Sequence, residues 1–489
     1  MSAFVYPVPA GEPVFDLYTV TVNGDPVSLY TARVSAIPFN RPWPGKQRPM
    51  EQTELAAVLS LDMTEPVTIE ICWPAPVTEA IVRPVSKGVA VAFEGNTVRF
   101  TIEKPGQYSA EVKGRHHNLH IFANTPEEPV DPASFTYYFA PGVHEVGDLV
   151  LGSNESVYIA AGAVVHGGIQ AYDAENIRIC GRGILDYSKM ERSDPLRWEK
   201  DGLMILARCK NVLLEGIPLR DASWWTVTAF NCVDLLYRNV KVVGMWRYNS
   251  DGFDFVNCQN VHVDGCFLRN YDDVIVFKGL RIKELDKGYN QEVSNLPYEH
   301  MDLCNYLVEN CVLWCDWGGA LEIGAETVAD RYTNMVYRNC DILRSDHGAL
   351  RIQSGDRAEV SHVLYEDIRV EFSKHDQGHK LQNADEDTFV PPENWTWYLI
   401  RGWIYCNRWS DDGILGNVHD ITYRNIAAYT DDDSLVPAIS FKGVDEEHRF
   451  HNITIENVTL NGKPFTPPVT ANTNNGLVTL NGNAVPEIG

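Results

Sequence analysis

From about residue 175 onward, the chain repeats a short pattern in which apolar and polar residues alternate before an Asn or Gly turn. Nine copies begin at positions 176, 211, 234, 260, 305, 334, 362, 420 and 452; two of them read Asn-Val-His-Val-Asp-Gly-Cys and Asn-Met-Val-Tyr-Arg-Asn-Cys. Strict alternation is typical of half-buried strands, whereas helices repeat their apolar positions about every 3.6 residues. Asn also tolerates the left-handed turn conformation and can form side-chain ladders between coils. The pattern therefore predicts a parallel β-helix, in which each coil buries its inner face against its neighbours.

The spacing of the copies exposes two long insertions. Most steps lie between 23 and 35 residues, but two steps of 45 and 58 residues place insertions near 279–303 and 373–418. The second insertion contains four tryptophans, Trp395, Trp397, Trp403 and Trp409. Long loops in a compact fold are usually functional, and the faces of tryptophan rings stack on sugars. Packing of the insertion onto the solenoid is the alternative that the sequence leaves open.

Residues 1–130 lack the repeat and form a different pattern of short alternating segments separated by Pro and Gly turns. The expected strands are Phe15–Val22, Val67–Cys72, Ala80–Pro84, Val89–Phe93, Thr97–Ile102, Gln107–Val112 and Leu119–Ala123. Such a series predicts an antiparallel β-sandwich of about 7–9 strands. The acidic, proline-containing stretch 124–132 is the expected joint. The chain is thus predicted to be all-β, with a sandwich over 1–132 and a β-helix over 133–489.

Composition and charge narrow the function classes. With 489 residues, 44% apolar and 22% charged, the sequence is that of a soluble two-domain protein. The net charge of −25 argues against nucleic acid, which needs clustered Lys and Arg, and makes a neutral glycan the easier partner. No apolar run approaches the roughly 18 residues of a membrane helix. No signal peptide is visible at Met1–Pro9, so a cytoplasmic location is expected unless a leader has been removed.

The cysteines and acidic residues indicate neither disulfides nor a bound metal. Eleven cysteines is an odd count, and several, such as Cys258, Cys266, Cys311 and Cys340, follow a turn residue. That position suits small buried thiols stacked inside a solenoid better than a disulfide framework. The chain has no Cys-x-x-Cys pair and no regular calcium-binding loop. No cofactor is therefore predicted.

The candidate chemistry lies in residues 249–273. Asp251 is followed 21 positions later by the adjacent pair Asp272 and Asp273. That gap is about one coil of a solenoid, so Asp251 should lie beside the pair on the next rung. Crowded carboxylates raise the pKa of one member and leave its neighbours ionised, which supplies the acid and the base that glycoside hydrolysis needs. For a single aspartate, capping of a surface turn is the alternative.

These residues also carry a family resemblance. Asn249-Ser250-Asp251-Gly252 followed by Tyr271-Asp272-Asp273 resembles the paired Asn-Thr-Asp and Asp-Asp motifs of glycoside hydrolase family 28, the polygalacturonases. Phe253-Asp254 after the first motif also agrees, and the resemblance covers roughly residues 135–465. Family 49, the dextranases and isopullulanases, is similar in the three aspartates and adds an N-terminal β-sandwich.

The resemblance implies a right-handed, pectin-lyase-like β-helix and an inverting glycoside hydrolase. On that basis Asp272 would be the general acid, while Asp251 and Asp273 would hold the nucleophilic water. The substrate would be an α-linked oligosaccharide or polysaccharide. Neither the sugar nor the oligomeric state follows from the sequence.

Two other positions depart from the polygalacturonase pattern. In the segment that matches Gly-His-Gly, the place of the histidine holds Gly319. In the segment that matches Arg-Ile-Lys, Arg351 is present but the lysine is replaced by Gln353, which suits a hydroxyl rather than a uronate carboxylate. Both departures favour a neutral, dextran- or isomalto-like substrate. A pectin-type hydrolase using other basic residues, a β-solenoid lyase or fructan transferase, and a non-catalytic carbohydrate-binding solenoid remain alternatives.

Several further residues in or near these strands are candidate sugar contacts. They are Asn249, Lys278, Trp317, Glu322, Arg351, Gln353 and His347, together with Glu326, and Trp224 and Trp225 as possible stacking platforms. The alternative for each polar residue is that it lies at the rim of the site and bonds a neighbouring side chain instead of a sugar.

Overall fold

The computed structural model describes residues 3–36, 39–40, 50–192, 202–280, 301–375, 380–381, 396–407 and 409–487. Within these ranges the fold is all-β, and the only helices are three single 3₁₀ turns, Met50–Gln52, Val85–Lys87 and Pro132–Ser134. None of the described helices has the length and apolar character needed to cross a bilayer. A short parallel pair joins Phe39–Asn40 to Lys380–Leu381.

The N-terminal part is a sandwich of two sheets. One sheet has six strands, Ala3–Val5, Tyr30–Ser35, Thr53–Met63, Ala80–Arg83, Gly106–Val112 and Leu119–Asn124. The other has five strands, Thr19–Val22, Asp25–Val27, Val67–Cys72, Val91–Glu94 and Thr97–Ile102. The inner faces of both sheets bury one apolar cluster that includes Leu61, Ile69 and Ile121.

The sandwich differs from the sequence prediction in two respects. It has eleven strands in the described ranges rather than about 7–9. The longest, Thr53–Met63, was not predicted because its burial is nearly continuous and gives no alternation. The sandwich is also not purely antiparallel, since Leu119–Asn124 pairs in parallel with Thr53–Met63. Its last strand ends at Asn124 and the first solenoid strand begins at Tyr137, so the predicted joint lies between them.

The rest of the described chain is a parallel β-helix of 31 strands arranged in three sheets, A, B and C. Sheet A contains Tyr137–Phe139, Ser156–Ile159, Glu175–Gly181, Lys210–Glu215, Val233–Arg238, Gln259–Asp264, Leu303–Glu309, Arg331–Arg338 and Val478–Leu480. Sheet B contains Ile184–Asp186, Pro218–Arg220, Lys241–Val243, Phe267–Asn270, Val312–Cys315 and Asp341–Arg344. Sheet C contains Met204–Ala207, Val227–Phe230, Phe253–Val256, Ile275–Gly279, Leu321–Thr327, Leu350–Ser354, Tyr398–Ile404, Ala438–Lys442 and Val469–Asn472.

A few longer strands continue from one sheet into the next. Glu359–Phe372, Asn417–Thr430 and Phe450–Leu460 run from sheet A into sheet B, and Gly142–Leu151 and Ala163–Tyr172 run from sheet B into sheet C. Lys463–Pro464 and Asn483–Ala484 form short antiparallel hairpins near the C-terminal end.

The repeat seen in the sequence is the structural repeat of sheet A. The residue that opens each of the nine copies has a positive φ, as the turn chemistry predicts. The copies stack in register; for example, Tyr306 pairs with Met335, and Met335 pairs with Val363. The predicted ladder is also present: Asn334 Nδ2 donates to Asn305 Oδ1 at 2.7 Å, and Asn305 Nδ2 donates to Asn260 Oδ1 at 2.8 Å.

The interior of the solenoid is filled by stacked side chains. Eight of the eleven cysteines are buried, and all eleven are free thiols. Aromatic rings stack in the same way, with Tyr337 and Tyr365 at 4.5 Å and Tyr365 and Tyr423 at 4.9 Å between ring centroids. Each interior position therefore packs against its counterpart on the next coil.

The sandwich covers the outer face of sheet B. An apolar cluster that includes Tyr30 and Phe122 of the sandwich and Trp314 of sheet B lies between them. Buried ion pairs cross the same interface, including Arg115 to Asp316 at 2.9 Å. Asp316 lies in a turn that leads from sheet B to sheet C. The sandwich therefore contacts the turns on which the candidate site is built.

Candidate active site

Successive turns from sheet B to sheet C place the aspartates beside one another. Phe253 pairs with Ile275 and Ile275 with Leu321, so Asp251, Asp273 and Gly319 occupy equivalent positions on three rungs. The N–H of Gly252 donates to the carbonyl oxygen of Asp273 at 2.8 Å. Neighbouring rungs are about 4.8 Å apart. The expected adjacency of Asp251 and the Asp272–Asp273 pair is thus present.

Two glycines make room for this arrangement. A Cβ on Gly318 would lie 2.8 Å from Asp272 Oδ1 and closer still to Asp273 Oδ1. A Cβ on Gly319 would clash with Glu322 Oε2 and lie 2.9 Å from Arg351 Nε. The Glu322–Arg351 ion pair therefore occupies the space that a histidine side chain at position 319 would need.

Lys278 holds Asp251 by a buried ion pair. Its Nζ lies 3.1 Å from Asp251 Oδ2 and 2.9 Å from Asp254 Oδ1. Burial raises the pKa of Asp251 to about 7, against the opposing charge of Lys278. Burial also raises the pKa of Asp254 well above its usual value. Within the described part of the chain, Asp251 Oδ1 is buried and has no hydrogen-bond partner.

Asp272 and Asp273 are neighbours in sequence but differ in environment. Burial alone would raise the pKa of Asp273, but the nearby charges of Arg351 and Lys278 hold it below its usual value. Asp273 Oδ1 accepts from Arg351 Nη2 and from the N–H of Gly319, both at 2.8 Å. For Asp272, burial and then the charges of Asp251 and Asp273 raise the pKa well above its usual value. The pKa values of the two neighbouring carboxyl groups are thus displaced in opposite directions, which is the arrangement that an acid and a base require.

The aspartates line a cleft of about 990 Å³. Every site residue predicted from the sequence borders it: Asp251, Asp272 and Asp273, with Asn249, Lys278, Trp317, Glu322, Arg351, Gln353 and His347. Eight bordering residues were not predicted as sugar contacts from the sequence: Tyr248, Leu280, Gly318, Ala325, Tyr405, Asn407, Ser410 and Asp411. Four of these, Tyr405, Asn407, Ser410 and Asp411, lie in the tryptophan-rich insertion, which was the available signal. Trp403 and Trp409 of the insertion, for which the sequence left sugar contact and packing open, also border the cleft.

The comparison with known proteins agrees with this fold. Residues 169–378 match the model of glycosyl hydrolases family 28. Dex49A from Penicillium minioluteum is similar in structure, with a TM-score of 0.54, 14% identity, and coverage of 94% of this chain and 92% of that chain. The polygalacturonase from Erwinia carotovora ssp. carotovora gives a TM-score of 0.51 at 14% identity, covering 73% of this chain and 99% of that chain. The chain is a glycoside hydrolase with a parallel β-helix like those of families 28 and 49.

A third solved structure, a hyperthermoactive exopolygalacturonase from Thermotoga maritima, gives a TM-score of 0.50 at 16% identity, with coverage of 71% of this chain and 84% of that chain. The comparison with curated protein sequences finds no match. The likeness to solved structures shows the fold, a right-handed, pectin-lyase-like parallel β-helix preceded by a sandwich.

The polar residues predicted as sugar contacts of this glycoside hydrolase are largely engaged with one another. Arg351 pairs with Asp273 and with Glu322. Gln353 Nε2 donates to the Tyr405 hydroxyl at 3.0 Å. His347 Nδ1 bonds the carbonyl oxygen of Trp317; burial and then the charge of Arg351 lower its pKa to about 3, so it is neutral. The cleft therefore offers pre-positioned polar groups.

Trp224 and Trp225, which the sequence suggested as stacking platforms, border the cleft but are packed against other side chains. Their rings stack on each other at 4.3 Å, and Lys278 Nζ lies 3.8 Å from the centroid of the Trp225 ring. Only 3% of Trp224 and 6% of Trp225 is exposed. These rings form the packed wall behind Lys278. Among the insertion's tryptophans, Trp395 lies outside the described residues.

No metal site is evident in the described ranges, where no group of three or more His, Cys, Asp or Glu side chains is placed to hold an ion.

Proposed function

We propose that this glycoside hydrolase cleaves α-linked, neutral oligosaccharides, of the dextran or isomalto type, with inversion at the anomeric carbon. The charge balance of the cleft carries the proposal. Its two basic side chains in the described lining are both paired with carboxylates: Lys278 with Asp251 and Asp254, and Arg351 with Asp273 and Glu322. A uronate carboxylate would need a basic partner that is not already neutralised. A neutral sugar needs only hydroxyl partners.

The proposed chemistry assigns a separate role to each aspartate. Asp272, whose raised pKa keeps its proton, donates that proton to the leaving glycosidic oxygen as the C–O bond breaks. Asp273, ionised beside Arg351, accepts a proton from a water molecule that attacks the anomeric carbon from the opposite face. Asp251, next to Asp273 on the preceding rung, helps to hold that water. The product sugar then has the inverted anomeric configuration.

The fold supports a glycosidase but does not choose the substrate. The polygalacturonase-like structures make a pectin-type hydrolase the second candidate. Gly319 and Gln353, which replace the histidine and lysine of the polygalacturonase motifs, favour the neutral substrate. The cytoplasmic location expected from the N-terminal sequence stays a prediction.

A product screen tests the proposal. Wild type and the Asp272→Asn variant are incubated with α-glucans, pectic fragments and fructans, and the products are separated by chromatography. Asp234→Asn is the matched control, because Asp234 is an exposed residue at the start of the sheet A strand Val233–Arg238 and accepts from Asn260 in the side-chain ladder. We expect sugar release from α-glucans by wild type and the control only, with the inverted anomer seen first by proton NMR.

Three outcomes would contradict the proposal. Release from pectic fragments alone would replace the substrate with a uronate. Equal product from Asp272→Asn would remove the catalytic role of that residue, and unsaturated products would indicate a lyase.

A further inference from the structure

Three side chains on successive strands of sheet B form a stack between the solenoid and the sandwich. Arg269, Trp314 and Arg344 are paired in register from one strand to the next. The Trp314 ring contacts the guanidinium groups on both sides, with Arg269 Cζ 4.1 Å and Arg344 Cζ 5.2 Å from its centroid. All three side chains are buried. Cation–π contacts are stronger when water is excluded, so this Arg-Trp-Arg stack ties three rungs together.

Each member of the stack comes shortly before a turn that lines the cleft. The residues three positions later all border the cleft: Asp272, Trp317 and His347. The turns are bonded to one another, because the N–H of Gly319 donates to Asp273 Oδ1 at 2.8 Å. The N–H of His347 donates to the carbonyl oxygen of Gly318 at 3.3 Å. A displacement of one turn is therefore passed on to the aspartates.

One hairpin of the sandwich, residues 106–124, supplies partners for both arginines of the stack. Both carboxylate oxygens of Glu111 accept from Arg344 Nη2, at 2.9 Å. Arg269 Nη1 donates to Asn118 Oδ1 at 3.1 Å. The 106–124 hairpin thus fixes the strand ends from which two of the three turns begin.

The same hairpin reaches the middle turn through Arg115. Arg115 Nη2 donates to Asp316 Oδ1 at 2.9 Å, and the same oxygen accepts from Trp314 Nε1 at 2.9 Å. The N–H of Asp316 donates to the carbonyl oxygen of Asn270 at 3.0 Å. Asp316 is therefore bonded to the sandwich, to the stack and to the rung that carries Asp272. Arg115 and Asp316 are both buried, so removal of one partner leaves the other charge uncompensated.

We propose that the 106–124 hairpin is a positioning element of the active site, which holds Asp272 and Asp273 in place through the Arg-Trp-Arg stack and Asp316. The sandwich is then part of the catalytic unit rather than a separate carbohydrate-binding module. The inference rests on the proposed glycosidase function, because the positioned turns carry its aspartates. A misplacement of about 1 Å can lower a rate about 100-fold, so loss of the hairpin contacts should lower kcat.

Kinetics of Arg115→Met and Asn118→Ala test the positioning role, on the substrate that the product screen identifies. Arg115→Met should lower kcat by roughly 10- to 100-fold and Asn118→Ala by roughly three- to tenfold, with KM within about threefold of wild type. Asn118→Ala leaves no carboxylate unpaired, so it provides the test if Arg115→Met does not fold.

Arg83→Met is the matched control. Arg83 is a buried residue of the sandwich that pairs with Glu371 of the solenoid, and Glu371 is not among the described residues that border the cleft. Glu111, which Arg83 also contacts, keeps its bonds to Arg344. The control therefore removes an arginine from a buried carboxylate at the same interface, and its kcat should stay near wild type. All rates are measured below the thermal unfolding midpoint of every variant.

Hydrogen exchange adds a readout that needs no substrate. In Arg115→Met, amide exchange should accelerate in residues 316–320, which include the Gly319 N–H that bonds Asp273, and should stay unchanged in sheet A. In Arg83→Met, exchange in residues 316–320 should match that of wild type.

Four outcomes would overturn the inference. They are wild-type kcat in both folded variants, an equal loss of kcat in Arg83→Met, unchanged exchange of residues 316–320 in Arg115→Met, and a rise in KM at constant kcat. The last result would assign the sandwich to substrate binding. If Asp272→Asn remained active, the proposed function itself would be wrong, whereas exchange in residues 316–320 would still report on the hairpin.

Discussion

Lys278→Met gives the sharpest test of the acid–base assignment. Lys278 contacts Asp251 and Asp254 inside the cleft wall and favours their ionised forms. In the proposed mechanism Asp251 helps to hold the water in its ionised form, so activity should be lost as the pH falls through the pKa of Asp251, which is about 7. Removal of the ammonium group raises that pKa further. The low-pH limb of the activity profile should therefore move to higher pH.

The expected shift of the low-pH limb follows from the distance between Lys278 Nζ and Asp251 Oδ2. Two unit charges 3.1 Å apart interact by about 5 kcal/mol at an effective dielectric constant near 20, or about 4 pKa units as an upper limit. Water entering the vacated space screens the remaining charges, and an opposite charge at this range usually changes a carboxyl pKa by about 1–3 units. At a pH below the wild-type limb, the variant should accordingly lose about 10- to 1,000-fold in kcat/KM.

The assay is kcat/KM as a function of pH, because this ratio reports ionisations of the free enzyme. Lys278→Arg is the matched control, since it keeps the positive charge and should keep the limb near that of wild type. Thermal unfolding of each variant at the pH of maximal activity verifies that the fold is intact. A limb that stays in place in a folded Lys278→Met variant would refute the reasoning, since Asp251 would then not be the ionising group.

Three further predictions concern the frame around the site. Arg115→Met should lower the free energy of unfolding by about 3–5 kcal/mol in chemical denaturation, because it leaves the buried carboxylate of Asp316 unpaired; a loss below about 1 kcal/mol would show that the pair is solvated. Asn334→Ala should cost about 1–2 kcal/mol in the same assay, since it removes a ladder hydrogen bond at a positive φ, and an unchanged midpoint would contradict this. Gly318→Ala should lower kcat by roughly 10- to 100-fold, because its Cβ would clash with Asp273 and crowd Asp272 Oδ1; normal kcat in a folded variant would show that the turn rearranges without loss of activity.

The solenoid was predictable because its information is local. Each copy of the repeat carries its own alternation and its own turn residue, and both act within a few positions. The turn residues that open the copies adopt a positive φ, and several form hydrogen bonds with their counterparts on the next coil. The position of each turn residue in the sequence therefore fixes the register between neighbouring strands of sheet A. By contrast, the strand Thr53–Met63 of the sandwich carries no alternation, because nearly all of it is buried, and it was missed.

The location of the site was also predictable, since one coil of about the right length brings Asp251 beside Asp272 and Asp273. The contacts that set the chemistry of the site could not be predicted from the spacing of residues along the chain. Lys278 was predicted to contact the substrate, yet the structure engages its ammonium group with two carboxylates and a tryptophan ring. Nothing in the sequence near Lys278 indicates those contacts, because they join side chains on different rungs.

The sequence by itself determined the all-β class, the β-helix and the three adjacent aspartates. It also determined that Gln353 stands where the polygalacturonase motif has a lysine. Only the tertiary structure decided which aspartate keeps its proton. Asp273 stays ionised because Gly319 and Arg351, 46 and 78 positions away along the chain, direct an N–H group and a cation at it. Asp272 Oδ1 accepts from the N–H of Asp273 at 3.1 Å, but burial and then the charges of Asp251 and Asp273 raise the pKa of Asp272 well above its usual value. A pKa depends on distances of a few ångströms in space, and those distances are fixed by the stacking of rungs rather than by proximity in sequence.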